Sequence, residues 1–278
     1  MVPGKRGLVA AVEKGDGQPL RDRVLGGKNM RGVLLAGGSA SRLRPLTKVT
    51  NKHLLPVYKK PMIYYPLETF IKAGLKDILI VTGGEHVGDF FRLLGSGKEW
   101  GARFSYEIQE GSAGTGAALL LAEDFVQDEE FLVILGDNVI HENVGKFVSQ
   151  FQKEKDRFDA KILVAKVKNP EKYGVVEFQG KKIINIIEKP RNPKSSYVNT
   201  GLWMFKPDVF RLLKKLKKSP RGEYEVTDVL SYYAKHGRLS FSILKSSWTD
   251  AGSFESLFNA TLLMKKLEDR QKARKSPR

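Results

Sequence analysis

The chain has no cysteine in its 278 residues, which excludes disulfides, thiolate metal sites and cysteine nucleophiles. No apolar run approaches the roughly 20 residues that span a bilayer, and the first residues lack the apolar core of a secretory signal. Histidine is scarce: His53, His86, His141 and His236 are scattered without zinc-type spacing and read as surface or packing residues. A GxxxxGK[ST] loop, a GxGxxG fingerprint and a strained Gly-x-Ser-x-Gly elbow are all missing. Acids are in deficit, 31 against 48 Lys and Arg, for a formal charge of +17. Residues 1–29 hold +3 of that excess and 264–278 hold +5, so much of it belongs to two solvated ends. No basic-aromatic module accompanies the charge, which argues against a nucleic-acid partner and leaves small polyanionic substrates. These absences fit a chain without a membrane span in a reducing, cytoplasmic setting.

What is present centres on residues 30–67. An apolar run, Val33-Leu34-Leu35-Ala36, has the length and branching of a buried strand and breaks at Gly37-Gly38 into a small-residue loop followed by Arg42 and Arg44. Adjacent glycines let backbone N–H groups converge on an anion, and an arginine offers a planar charged fork to phosphate oxygens. Lys52, Lys59 and Lys60 add positive charge nearby.

Along the rest of the chain, buried-strand runs at 77–81 and 131–135 alternate with helical periods at 63–73, 86–94 and 117–125 and with an alternating strand at 103–109. That order predicts an α/β, Rossmann-like fold: a mixed, mostly parallel central sheet with helices on both faces. Beyond residue 145 come a helix to about residue 155 and short strands at 161–167, 174–178, 183–188 and 199–205. Helices at 207–216 and 225–235, a strand at 239–244 and a final helix from 253 follow, which predicts a smaller, more antiparallel part. The expected organisation is a basic extension over 1–29 and one domain over 30–263, with halves at about 30–145 and 146–250, then a basic tail over 264–278. In parallel sheets ligands sit beyond the carboxyl ends of the strands, where Gly37-Gly38, Gly83-Gly84 and Gly136-Asp137 all fall.

Asp137 follows directly on a buried strand, and Asp250, in Trp248-Thr249-Asp250-Ala251-Gly252, has a similar introduction. Each alone reads as a turn or capping aspartate. Together with a Gly- and Arg-rich loop they read as a magnesium site, because Mg2+ binds one or two carboxylates plus substrate phosphates. Lys189, in Glu188-Lys189-Pro190, ends a strand and reads either as an exposed lysine or as a group that needs a bound anion.

In this order the blocks resemble the sugar-1-phosphate nucleotidyltransferases. The resemblance rests on Gly37-Gly38 with Arg42-Leu43-Arg44-Pro45-Leu46-Thr47, Asn51-Lys52-His53-Leu54-Leu55-Pro56, Lys60-Pro61-Met62-Ile63-Tyr64-Tyr65-Pro66-Leu67, Leu135-Gly136-Asp137-Asn138, Tyr173-Gly174-Val175-Val176-Glu177, Glu188-Lys189-Pro190, Thr200-Gly201-Leu202, Arg221-Gly222-Glu223 and Trp248-Thr249-Asp250. It implies attack of glucose 1-phosphate on the α-phosphorus of dTTP with loss of pyrophosphate, aided by Mg2+. UTP- or GTP-dependent transfer onto glucose or mannose phosphate and a catalytically silent sugar-nucleotide-sensing subunit are the alternatives. It implies that the backbone of Leu35, Ala36, Gly37, Gly38, Ser39, Ala40 and Ser41 cradles the nucleotide, that Glu85 and Gly114 face the base, and that Arg42 and Lys52 neutralise departing pyrophosphate. Asp137 and Asp250 then hold the metal, Lys189 holds the sugar phosphate, and Asn138, Tyr173, Gly174, Glu188, Asn199, Thr200 and Gly201 line the sugar pocket. A homo-oligomer, tetramer or dimer, is also implied. The chain departs from the family pattern in two places: Ala40 stands at a glycine position and Glu85 at a position where many members carry glutamine. A methyl at residue 40 is strained only if φ there is positive.

Overall fold

A computed structural model describes residues 30–38, 40–245 and 248–275. The expected extension over 1–29 and Ser39 therefore lie outside the described residues. The apolar runs form strands as their branching and burial require: β1 (Arg31–Ala36), β4 (Asp77–Gly83), β5 (Arg103–Gln109) and β6 (Phe131–Leu135) lie side by side and parallel in the order β6-β1-β4-β5. β1, β4 and β6 are nearly continuous in apolar residues because both faces are covered, whereas the edge strand β5 alternates. One face is covered by α1 (Tyr64–Lys72), α2 (Val87–Leu94) and α5 (Gly145–Glu154), whose Leu67, Phe90 and Phe151 pack with Leu34, Ile80 and Ile134. The other face carries α3 (Thr115–Leu120), α4 (Glu123–Val126), α6 (Val209–Leu213) and α7 (Val226–Lys235), packed on Val33, Val81 and Val133. The expected single helix over 117–125 is two short helices, because the chain bends at Leu121-Ala122 to bury Ala122 and Val126 together.

The chain reaches β5 by moving one way from β1 and returns to β6 on the other side. Loops leaving β1 and β6 therefore diverge at the sheet's carboxyl edge and open a crevice, the topological switch point where α/β sheets bind ligands. A short contact closes its floor, the Gly136 N–H donating to Leu35 C=O at 2.8 Å.

Beyond β6 the sheet turns antiparallel, as the sequence predicts. β11 (Tyr197–Phe205) pairs antiparallel with β6, with β9 (Gly174–Gln179) and with β8 (Ala160–Lys166). The hairpin partner β10 (Lys182–Glu188) forms one edge, and β12 (Leu239–Ile243) extends β8 in parallel. The register of β11 shifts between Asn199 and Trp203, a bulge turned by Gly201 at φ 78°.

Two short ribbons complete the fold. β2 (Pro56–Val57) pairs with β3 (Lys60–Pro61), and β7 (Asn138–Ile140) pairs antiparallel with β13 (Trp248–Asp250). The closing helix α8 (Phe254–Lys275) runs through the expected tail as far as Lys275. Its Ala260 seals a small separate core with Leu43, Leu55, Val57, Met62 and Val139. Leu43 is fully buried there one residue after Arg42, so Leu43→Ala should cost about 2–5 kcal/mol of stability by urea unfolding.

Candidate active site

The loop after β1 is built from small residues because the chain reverses there within a few positions. Gly38 takes φ 98°, and Ala40 takes φ 46° and ψ 34°, the left-handed region. The added methyl at residue 40 is thus strained, at a cost of roughly 1–2 kcal/mol. The loop holds that conformation because the Ala40 carbonyl accepts the Leu43 N–H at 3.0 Å and the Thr47 hydroxyl at 2.9 Å. The outcome is a tight 3-10 turn, Ser41–Leu43, with Leu43 pointing into the core and Arg42 toward the crevice.

Asn51 shapes the second basic turn, Lys52–Leu54. Its Oδ1 accepts the His53 backbone N–H at 3.0 Å and meets His53 Nδ1 at 2.8 Å. The imidazole is buried directly beneath Gly136, where a Cβ would lie 2.6 Å from its Cδ2. Burial first, and Lys52 beside it second, push its pKa down to about 3, so it sits neutral as a packing group. The other product of the turn is Lys52, whose Nζ reaches Asp137 Oδ2 at 2.6 Å.

Asp137 leaves the end of β6, and the ribbon of β7 and β13 brings Asp250 opposite Asn138. The Ala251 N–H donates to Asp137 C=O at 2.9 Å, so the two aspartates sit on facing segments. Gly252 marks the meeting point. A Cβ there would lie 3.2 Å from Asp137 Oδ2, 3.2 Å from Asp250 Oδ2 and 3.4 Å from Arg42 Nη2. The two carboxylate oxygens are therefore no farther apart than twice 3.2 Å. Burial alone would raise the Asp137 pKa, but Lys52, His53 and Arg42 together lower it to about 2. Asp250 is fixed by the Tyr173 hydroxyl on Oδ1 at 2.7 Å, and by the Gly252 N–H at 3.1 Å and the Ser256 hydroxyl at 3.3 Å on Oδ2. Burial, then Asp250 itself, drives the Tyr173 phenol upward, so it is a lasting donor.

On one side of this centre, Gln109 ends β5 with its amide directly over Gly37, where a Cβ would meet its Oε1 at 2.5 Å. Its Nε2 donates toward Gly114 C=O at 3.4 Å. Gly114, at φ 94°, packs against the Glu223-Tyr224 backbone with no room for a side chain. Glu85, by contrast, stands exposed on the 3-10 turn after β4. Gln109 was not singled out from sequence. Its signal was the one used for Asp137, a polar residue closing a strand just before a glycine turn.

On the other side, Gly174 begins β9 beside Glu188 Oε2, at 3.2 Å from its Cβ position, and Thr227 Cγ2, at 3.0 Å. Burial raises the Glu188 pKa, partly offset by Lys189. Its Oε1 is 3.5 Å from Lys189 Nζ and 3.5 Å from Arg221 Nη1. These groups border a groove of about 750 Å³ that runs on past Arg191 and Lys235. Lys189 itself adopts φ 43°, its N–H held by Tyr173 C=O at 3.0 Å. Arg221 is a second residue without a predicted role, and only its block, Arg221-Gly222-Glu223, pointed to it. Thr200 turns the opposite way, its hydroxyl donating to Leu163 C=O at 2.9 Å within the sheet, so only its backbone faces the pocket's side. Asn199 and Asn138 flank Gly201.

A crevice at the switch point, two aspartates meeting beside an arginine and a lysine, and a glycine loop on the same edge define an enzyme that works on phosphates. The chain belongs to the nucleotidyl transferase family, whose model matches residues 31–266. It is 41% identical over 246 residues to the glucose-1-phosphate thymidylyltransferase of Mycolicibacterium smegmatis, covering 87% of this chain and 84% of that protein. It is 39% identical to the enzyme of the same name from Neisseria meningitidis, covering 87% and 85%. Among solved structures, one from Bacillus anthracis in complex with sucrose, provisionally given that name, aligns with TM-score 0.80 and 46% identity over 84% of this chain and 94% of that one. A UDP-glucose pyrophosphorylase with bound UDP-glucose aligns with TM-score 0.75 at 28% identity, over 86% and 99%. Among the described residues, no helix is long and apolar enough to cross a membrane.

Two outcomes follow from this geometry. Ala40→Gly relieves the left-handed methyl and should raise unfolding stability by about 0.5–1 kcal/mol in a urea titration. His53 binds its proton far more weakly folded, near 3, than at its ordinary 6.5, so the unfolded chain holds more protons between those values. Stability should accordingly fall as pH drops from 7 toward 5, and His53→Gln should flatten that slope in thermal melts at matched ionic strength.

Proposed function

We propose that the chain transfers a thymidylyl group from dTTP to glucose 1-phosphate, giving dTDP-glucose and pyrophosphate. The observation that carries this reading is the meeting of Asp137, Asp250 and Arg42 at Gly252, between the Gly37–Gln109 wall and the Gly174–Glu188 wall. The named relatives supply the substrates.

The two carboxylates fit Mg2+. They are hard oxygen donors, and Mg2+ typically takes one or two carboxylates and the rest of its ligands from phosphates and water. Asp137 and Asp250 would hold it, and the charge it supplies when bound is neutralisation of the triphosphate. The chain's own groups do the rest by positioning. Glycine-loop N–H groups and Arg42 receive the β- and γ-phosphates. Lys52, whose Nζ lies 2.6 Å from Asp137 Oδ2, would supply positive charge to the departing pyrophosphate beside the carboxylate that would hold the ion. Lys189 and Arg221 hold the sugar phosphate so that its oxygen faces the α-phosphorus in line with the leaving group.

Gln109 carries one acceptor and two donor hydrogens, the complement of a pyrimidine N3–H and O4. Thymine and uracil share that edge, so preference for dTTP over UTP rests on contacts to the methyl group and the ribose. A UTP-dependent reaction is the second reading, favoured by the UDP-glucose pyrophosphorylase likeness.

Pyrophosphate release should require a nucleotide, a sugar phosphate and Mg2+ together, and be fastest with dTTP and glucose 1-phosphate in a panel of four nucleotides and three sugar phosphates. No release from any pair would end this proposal. Asp137→Asn and Asp250→Asn should each lower kcat by about 10²-fold or more, roughly 3 kcal/mol, with unchanged far-UV circular dichroism.

A further inference from the structure

The segment between α6 and α7 touches both walls of the crevice. Over residues 219–225 it closes on itself: the Ser219 N–H donates to Glu223 C=O at 2.8 Å, and the N–H of Gly222, at φ 78°, donates to Ser219 C=O at 2.8 Å. On the nucleotide side, Tyr224 is stitched to the loop before α3. Its N–H donates to Ala113 C=O and its C=O accepts the Gly116 N–H, both at 2.8 Å. Gly114, between those two, accepts Gln109 Nε2 at 3.4 Å. On the sugar side, Arg221 brings Nη1 to 3.5 Å from Glu188 Oε1.

Glu225 holds this segment together. It stands at the N-cap of α7, at φ −92° and ψ 123°, where a side-chain oxygen ordinarily accepts N–H groups of the first turn. Its carboxylate makes no such bond. Instead Oε1 accepts the Ser219 hydroxyl at 3.0 Å and Arg221 Nη1 at 3.1 Å, while the Ser219 oxygen accepts the Arg221 N–H at 3.2 Å. An ion pair between two exposed groups fixes little. Here the Glu225 side chain is only 7% exposed against 37% for Arg221, so the buried carboxylate decides where the guanidinium stands.

We propose that Glu225 is a positioning residue for both substrates: it aims Arg221 at the sugar phosphate, and through Tyr224 it ties that arginine to the loop beside the base. The inference rests on the function proposed above, in which Arg221 holds the sugar phosphate and Gln109 meets the base. Residues 219–225 share one set of hydrogen bonds, so the substrate that binds first orders them and the second meets a segment already in place. Each substrate therefore tightens the other by the same factor.

The test uses the full chain with Mg2+. In titration calorimetry with the α,β-methylene analogue of dTTP, which binds as a triphosphate and does not release pyrophosphate, saturating glucose 1-phosphate should tighten wild-type binding about fivefold or more. Glu225→Ala should bring that factor to about one, leave the affinity for the analogue alone within about twofold, and raise the KM for glucose 1-phosphate about tenfold. Glu225→Gln keeps an acceptor for Ser219 and Arg221 and should stay within about threefold of wild type in both readings. Where Glu225→Ala does not fold, Ser219→Ala removes the hydroxyl between Glu225 and the Arg221 N–H and should lower the coupling factor; unchanged coupling there overturns the assignment. A wild-type factor of one, a Glu225→Ala enzyme that keeps the coupling, or one that loses affinity for the analogue alone as much as for the sugar phosphate overturns it too. So does a Glu225→Gln enzyme as impaired as Glu225→Ala. The coupling factor is read without turnover, whereas the underlying reaction fails on absent pyrophosphate release from wild type, so the two readings fail by different observations.

Discussion

Asp137 and Asp250 bring two negative charges to one glycine, and most of the surrounding structure balances that repulsion. At the separation allowed by Gly252, two unit charges repel by a few kcal/mol at an effective dielectric of about 20. Lys52 and Arg42 oppose it from one side. The Tyr173 hydroxyl, the Gly252 N–H and the Ser256 hydroxyl oppose it from the other. The low pKa of Asp137, despite burial that pushes it up, shows which effect wins. On the proposed function, a cation and a polyphosphate would bring matched charge to the same place.

This balance also ties together distant parts of the chain. Ser256, which bonds Asp250, lies in the first turn of α8, and α8 buries Ala260 against Leu43, the neighbour of Arg42. The turn that carries Arg42, the segment after Asp250 and the closing helix therefore share a core of their own through Leu43, Ala251 and Ala260, separate from the two large clusters on the faces of the sheet. The tail past residue 264 carries charges that pair back onto this unit, as Glu268 does with Lys59 at 2.7 Å. What reads in sequence as a solvated tail is for part of its length a brace.

The sequence was legible where one local rule decides. Continuous apolar runs announced β1, β4 and β6, and the glycine breaks after them put the crevice at the correct edge. Each aspartate was visible as a carboxylate leaving a strand. Their adjacency was read from the shared chemistry and the family resemblance and not from a local rule, because the ribbon that pairs Asp250 with Asn138 has three residues in each strand and closes a loop of more than a hundred residues. Thr200 entered through the family resemblance, and the direction of its hydroxyl toward Leu163 C=O was not legible because the β11 bulge shifts a register that a period-of-two reading assumes constant. Gln109, the residue to which the proposed function gives the base, was passed over because an alternating strand drew attention to Phe104, Tyr106 and Ile108 on its other face, while the resemblance pointed to Glu85.

Backbone strain gathers where charge has to be aimed. Among the described residues only four other than glycine take positive φ, and two of them, Ala40 and Lys189, stand on opposite sides of the crevice. Ala40 precedes the turn that carries Arg42, and Lys189 follows Glu188 directly. Each is pinned by a backbone hydrogen bond, Leu43 N–H to Ala40 C=O and Lys189 N–H to Tyr173 C=O, so each kink is set by the fold. Glycine would relax the first kink without strain, yet it would also widen the loop's conformational range and loosen the aim of Arg42. At Lys189 no such exchange is open, since the residue must supply the ammonium as well as the turn. On the proposed function, strain at these two positions is the cost of presenting a fixed positive charge to phosphates from each wall, and it is offset by the packing of Leu43 on one side and the anchoring of Tyr173 on the other.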